Sequence, residues 1–227
     1  MGARTASSSR KAPPAGPVSI DVVLISVREK RLQVLAEPTD ATRRHNRSLP
    51  WGTAARSEYL DVAASRIARR AIGASPDWLE QAGAFGDGTE HPGGALLSVC
   101  YVGVLPWTEP PSARVWMDAG QLSGLSERHR RMVTASLGVL RSRLEHAPIA
   151  FSMLPREFTL SELQQAYETV LARRLHKASF RRALKAAFLV EPTDEWRSEG
   201  RGRPAQLFRF APRKKRAIRR GVRLDLL

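Results

Sequence analysis

The sequence predicts two mixed units in succession: an α/β (α+β) sandwich over residues 18–147, then a smaller α+β unit of helix, turn, helix and hairpin over residues 148–211. Three observations carry this expectation. Strand-like and helix-like apolar periods alternate up to about residue 147, a helix-start signal at Thr159 opens a segment of different grammar, and positive charge gathers behind that boundary. Residues 151–227 hold 18 Lys and Arg against 8 Asp and Glu, whereas residues 1–150 hold 19 against 14, within a net charge of +15 over 227 residues. Such asymmetry points to a polyanionic partner, nucleic acid or an anionic membrane surface, with a merely solubilising basic surface as the alternative.

Taken in order, residues 1–17 are rich in Ser, Ala, Pro and Gly and are expected to form a disordered tail. VSIDVVLISV (18–27) reads as a strand, and after the polar turn REKR the run LQVLAE reads as its hairpin partner. DATRRHNRSLPWG (40–52) is a loop. From Leu60, the positions Ala63, Ala64, Ile67, Ala68, Ala71 and Ile72 recur at helical spacing until Gly73. A loop with weak helical turns leads to the strand ALLSVCYVGVLP (95–106); EPPS breaks it, ARVWMDA resumes it, and a helix runs from about Ser126 to Glu145. The single cysteine, Cys100, lies in an apolar run and reads as a buried hydrophobe in a reducing compartment. His45, His91, His129, His146 and His176 show no metal-ligand spacing, so no structural zinc, other metal or cofactor is expected. No run approaches membrane-spanning length and the opening residues lack a signal-peptide core, so a cytoplasmic, nucleoid-associated protein with no membrane partner is expected.

The second unit opens with FTLSELQQAYETVLARR. Thr159 stands three residues before Glu162, a capping box, with Phe158 and Leu163 at the staple positions around it. Leu163, Ala166, Tyr167, Val170 and Leu171 form one apolar stripe. After the turn RRLHK, ASFRRALKAAF is read as a second helix with Phe180, Leu184, Ala187 and Phe188 inward, and LVEPTDEWRSEGRGRPAQLFRF as a hairpin. This is the layout of a winged helix-turn-helix, in which the second helix enters the major groove and the wing follows the backbone. The expected DNA contacts are Lys177, Ser179, Arg181, Arg182 and Lys185 on that helix, and Arg201 and Arg203 between the wing glycines Gly200 and Gly202. The tail PRKKRAIRRGVRLDLL (212–227) is expected to add non-specific phosphate attraction.

In the first unit, the stretch Gly52–Ala74 lines up with the Nudix box at four landmarks: Gly52, Glu58, Arg66 and Gly73. The three acidic positions of the box helix are occupied by Ile67, Arg70 and Ala71. Spaced i, i+3, i+4, these share one helical face, the face that in an active Nudix enzyme holds Mg²⁺ against a diphosphate with oxygen ligands. An isoleucine, a guanidinium and a methyl supply none, so no catalytic residue and no hydrolysis are expected; Asp87 or Glu90 rebuilding a metal site is the alternative.

A Nudix-like domain with a C-terminal winged helix resembles the NrtR family, Nudix-related transcriptional regulators of bacteria linked to NAD metabolism. The resemblance lies in IDVVLISV, in LP before the box, in LEQAGAFGD followed by VCYVGVLP, in LEHAPIAFSMLPREFTLSELQQAYETVL, in SFRRAL and in GRGRPAQLFRF. The sequence departs at Trp51, where a Gly of the turn is usual, at TEHPGG (89–94), at ERH (127–129) and at Ser179. The resemblance implies a homodimer on an inverted-repeat operator of double-stranded DNA, acting as a repressor, with the Nudix-like domain sensing a nucleotide such as ADP-ribose. The effector pocket is then expected beside the degenerate helix, near Glu58, Arg66, Arg70, Phe85 and the 85–94 loop. A Nudix hydrolase with a basic appendage, and a constitutive DNA-binding protein with no effector, are the alternative functions.

Overall fold

VSIDVVLISV is apolar at odd and even positions alike, which requires cover on both faces of the strand. A computed structural model, describing residues 18–39, 44–86, 88, 90–111, 113–144, 146–198 and 204–211, shows that cover. The expected tails 1–17 and 212–227, and the wing residues Gly200, Arg201, Gly202 and Arg203, lie outside the described residues, as does Asp87. The first strand, β1 (Val18–Arg28), pairs antiparallel with β2 (Arg31–Pro38) and parallel with β6 (Leu97–Val104). Two-residue strands β3 (Arg47–Ser48) and β4 (Trp51–Gly52) interrupt the expected 40–52 loop and pair with β2 and β1. Beyond β6 lies β5 (Trp78–Phe85), antiparallel to it, and β7 (Val115–Asp118) adds to β2. Strand β5 replaces the loop with weak helical turns expected after Gly73; a register shift between Gln81 and Gly83 breaks the alternation by which a strand is recognised.

On one face of this sheet, Ile20, Val22, Leu24, Val99 and Tyr101 pack under α1 (Leu60–Ile72) through Ala63, Ala64, Ile67, Ala68 and Ala71. Gly73 ends α1 in the left-handed conformation, where a side chain would be strained. On the other face, Val23, Ile25, Cys100 and Val102 pack under α2 (Glu127–Leu144) through Met132, Val133, Leu140 and Leu144. Cys100 is fully buried, and burial pushes its thiol up to about 12.

The second core does not stop at α2. It runs on through a short 3-10 helix (Ile149–Met153) into α3 (Leu160–Leu171) and α4 (Lys177–Ala187), taking in Phe151, Leu163, Tyr167, Val170, Phe180 and Leu184. Thr159 and Glu162 close the expected capping box at the start of α3. A three-stranded sheet of β8 (Glu157–Phe158), β10 (Ala205–Phe210) and β9 (Val190–Arg197) forms the wing side. Phe188 departs from the reading: α4 ends before it, its backbone turns left-handed (φ 52°), and the ring is 48% exposed instead of packed inward.

Candidate sensor site and DNA-reading face

The box helix is braced, not open. Arg66 clasps Glu58 with two charge-assisted bonds of 2.9 and 2.7 Å and donates to the Thr53 carbonyl at 2.9 Å, while Glu58 accepts the Ala55 N–H at 2.7 Å. Those bonds hold the Glu58 carboxyl down to about 2. Both side chains are thus spent tying the loop to α1. Of the three box positions without acids, Ile67 and Ala71 are fully buried, and the exposed Arg70 donates to the Trp51 carbonyl at 2.6 Å. Phe85 lies half-buried at the end of β5, packed toward the α2 side of the sheet.

Sequence reading missed a cluster at the core of this domain. Asp21, opposite Trp51 in the β1–β4 register, is the one acid in an apolar strand and is fully buried. Its Oδ1 accepts from His91 Nε2 at 2.9 Å and His129 Nε2 at 3.1 Å, and its Oδ2 from the Ser19 hydroxyl at 2.7 Å. The other nitrogen of each ring accepts a backbone N–H: Gly93 donates to His91 Nδ1 at 3.0 Å, and Leu49 to His129 Nδ1 at 3.2 Å. A ring nitrogen that accepts carries no proton, so both imidazoles are neutral with the proton on Nε2, facing the carboxylate. Burial lowers His129, outweighing the opposing pull of Asp21. Burial would raise Asp21, but the two histidine bonds hold it well below the carboxylate range. The three side chains stand close enough to share a cation, with ligand atoms within 4.8 Å of one another. The donor set nevertheless does not fit one, because the Nε2 lone pairs a metal needs are replaced by N–H bonds to Asp21. The cluster is a closed hydrogen-bond network.

That network joins two walls of a cavity of about 910 Å³, lined by Gly86, Gly88, the loop Glu90–Leu96 and Arg128. His91 belongs to the loop; His129 and Arg128 form the first turn of α2. Arg128 is 2% exposed and donates to the Ala95 carbonyl at 2.7 Å and the Ser98 hydroxyl at 3.3 Å. Trp51 packs against two of the lining residues: its ring meets His91 edge-on at 5.0 Å and lies where any Cβ on Gly93 would stand. None of the four expected effector residues Glu58, Arg66, Arg70 and Phe85 lines that cavity; Phe85 ends the strand that precedes it.

In the second domain, α4 buries Phe180 and Leu184 and turns Arg181, Arg182 and Lys185 to solvent on the opposite side, with Lys177 exposed at its start. Among the described residues none of these four cations has an ion-pair partner. Ser179 is half-buried, its hydroxyl 3.2 Å from Nδ1 of His176 at the helix start. Trp196, on β9, is 57% exposed.

Comparison with known proteins gives concordant findings. Residues 150–210 match the family model of the NrtR DNA-binding winged helix domain. The ADPR responsive transcriptional repressor NtrR of Acinetobacter baylyi is 27% identical over 209 residues, covering 87% of this chain and 83% of that protein. The crystal structure of Shewanella oneidensis NrtR complexed with a 27mer DNA superposes with a TM-score of 0.78 at 24% identity, over 91% of this chain and 98% of that one. A MutT/nudix family protein from Enterococcus faecalis follows with a TM-score of 0.66 at 16% identity, over 90% of this chain and 91% of that one. The fold is a Nudix-like domain followed by a winged helix domain.

Proposed function

We propose that this chain, whose residues 150–210 match the NrtR winged helix domain and whose fold is that of NrtR, is a DNA-binding transcriptional repressor of NAD-related metabolism whose first domain senses ADP-ribose or a related nucleotide without hydrolysing it. The observation that carries the DNA-binding reading is α4, a helix anchored by Phe180 and Leu184 whose outer face is Arg181, Arg182 and Lys185. Exposed guanidiniums on a rigid helix are suited to guanine edges and phosphates. The working form is a homodimer on an inverted repeat, which sets two such helices one DNA turn apart. Domain one spans 18–147 and domain two 148–211, with Ser179, Lys177, Arg201 and Arg203 completing the DNA contacts.

The reading without hydrolysis is supported by chemistry. Mg²⁺ requires several oxygen ligands, and the box face offers buried Ile67 and Ala71 and a cationic Arg70. We assign effector binding to the cavity lined by Gly86, Gly88, the 90–96 loop and Arg128, with Phe85 at the end of the strand before it and Glu58, Arg66 and Arg70 bracing the box helix.

Selection from a random duplex pool defines the operator, and fluorescence anisotropy on that duplex tests the assignment. Arg181→Ala or Arg182→Ala is expected to weaken binding by about 1–3 kcal/mol where the residue reads a base, and ADP-ribose is expected to shift the wild-type affinity. Unchanged affinity in both variants would overturn the placement of α4. Mg²⁺-dependent hydrolysis of ADP-ribose, abolished by Glu58→Gln, would overturn the non-enzymatic sensor.

A further inference from the structure

One helix joins the cavity wall to the helix that packs on α4. Helix α2 begins in the cavity wall, where Arg128 borders the space and His129 is bound through Asp21 to His91 of the loop. Its 18 residues span about 27 Å at 1.5 Å per residue. At its far end Arg141 Nε donates to the Val170 carbonyl of α3 at 2.9 Å, and Leu140 and Leu144 lie fully buried in the core shared with α3 and the 3-10 helix. Val170 lies in the last turn of the helix that packs directly on α4 through Tyr167 and Phe180, whose rings stand 5.4 Å apart. An unbroken mechanical line therefore runs from the loop, through Asp21, along α2 to α3 and onto the DNA-reading helix.

The seam has room for that line to move something. Just past the end of α2, where Ala147, Pro148 and Ile149 line it, the two domains face one another across a cavity of about 840 Å³, with Asp77, Trp78 and Pro106 on one side and Phe158, Arg209 and Phe210 on the other. The joint is close-packed along α2 and open beside the segment that follows it. The ion pair of Arg143 with Glu80 of β5, with bonds of 2.6 to 3.0 Å, braces the same end of α2 against the sheet.

We propose that α2 is the coupling element of this protein: displacement of the 90–96 loop is carried through the Asp21 network to α2 and delivered to α3 at the Arg141–Val170 bond, which resets the DNA-reading helix. Arg141 is thus a positioning residue for DNA binding. The loop's ligand, ADP-ribose, comes from the function proposed above, but the coupling itself can be driven without any ligand. Gly93 abuts the Trp51 ring so closely that Gly93→Ala forces the loop and ring apart.

The test is a double-mutant cycle on full-length protein, read as the dissociation constant for the selected duplex. Distant sites without coupling combine additively. Gly93→Ala is expected to change duplex affinity at least about threefold in the wild-type background and by less than about 1.5-fold once Arg141→Met has cut the bond to Val170, with Arg141→Lys intermediate, on the scale of measured allosteric couplings. Thermal unfolding of each variant checks that Met, which keeps the aliphatic stem, leaves the fold intact. An additive cycle, or no effect of Gly93→Ala on DNA binding, overturns the proposal. If the cycle is non-additive while ADP-ribose leaves wild-type DNA affinity unchanged, the coupling stands and the effector assignment falls.

Discussion

A carboxylate taken out of water survives only where donors meet its charge, and Asp21 has three of them. The same arrangement sets a pH dependence. The folded chain keeps His129 neutral below its ordinary 6.5, because protonation would put a charge in the core and break the bond from Leu49 N–H. The unfolded chain takes up that proton, so stability falls as pH drops below about 6.5, by at most about 1.4 kcal/mol per pH unit for one proton. Asp21 supplies a further acid leg. Its folded value lies below its unfolded one, so its contribution holds above about pH 4 and is lost as pH falls further. Urea unfolding between pH 7.5 and 5 is expected to show the first leg, and His129→Gln to destabilise at pH 7.5 while flattening the slope by one proton. A variant with the wild-type slope would assign that titration to another group. At this scale the sequence is unevenly informative. Arg181, Arg182 and Lys185 are legible because the helix period dictates which side chains oppose Phe180 and Leu184. The Asp21 cluster is not, since its histidines stand 70 and 108 residues from it along the chain; the available signal is one acid inside an apolar strand.

At the scale of elements, local rules succeed where the chain obeys one period and fail where it changes. The start of α3 is legible because Thr159 and Glu162 satisfy each other's backbone donors, with bonds of 2.6 and 3.1 Å. Strand β5 is not, because its alternation slips at the Gln81–Gly83 bulge, and Phe188 misleads because its spacing continues α4 after the backbone has left the helix. Glu162 also does what no cap signature announces: its second oxygen accepts from Arg197 of β9 at 2.7 Å, fastening the wing to α3. Two substitutions separate these roles. Thr159→Ala is expected to cost about 1 kcal/mol of stability, the usual worth of a cap, with DNA affinity of the folded fraction unchanged. Glu162→Ala is expected to cost stability and also to weaken operator binding of the folded fraction, because the wing is released from the helix beside it. Urea unfolding and anisotropy on the same samples distinguish the two outcomes. Equal DNA affinity for both folded variants would leave the Arg197 bond without a part in wing placement.

For the whole molecule, the boundary at 147/148 legible from charge and grammar is not a boundary in the packing. One apolar core passes from Val23 and Val102 of the sheet through Leu140 and Leu144 of α2 to Phe151, Leu163 and Phe180. Separate domains on a linker would open independently, whereas elements that share a core must lose it together. Hydrogen exchange measures this directly. The slowest amides of β1 and of α3 are expected to exchange with the same opening free energy, equal to that of global unfolding. Leu144→Ala removes a fully buried side chain from the shared core, at a typical cost of about 2–5 kcal/mol, and should lower both sets of amides by the same amount. A fall confined to α3 would mean that the winged helix opens alone, held to the first domain by contacts weaker than those within either domain. A common fall places the continuity of the fold on α2, the helix that also begins at the cavity wall, so stability and communication between the domains would depend on the same residues.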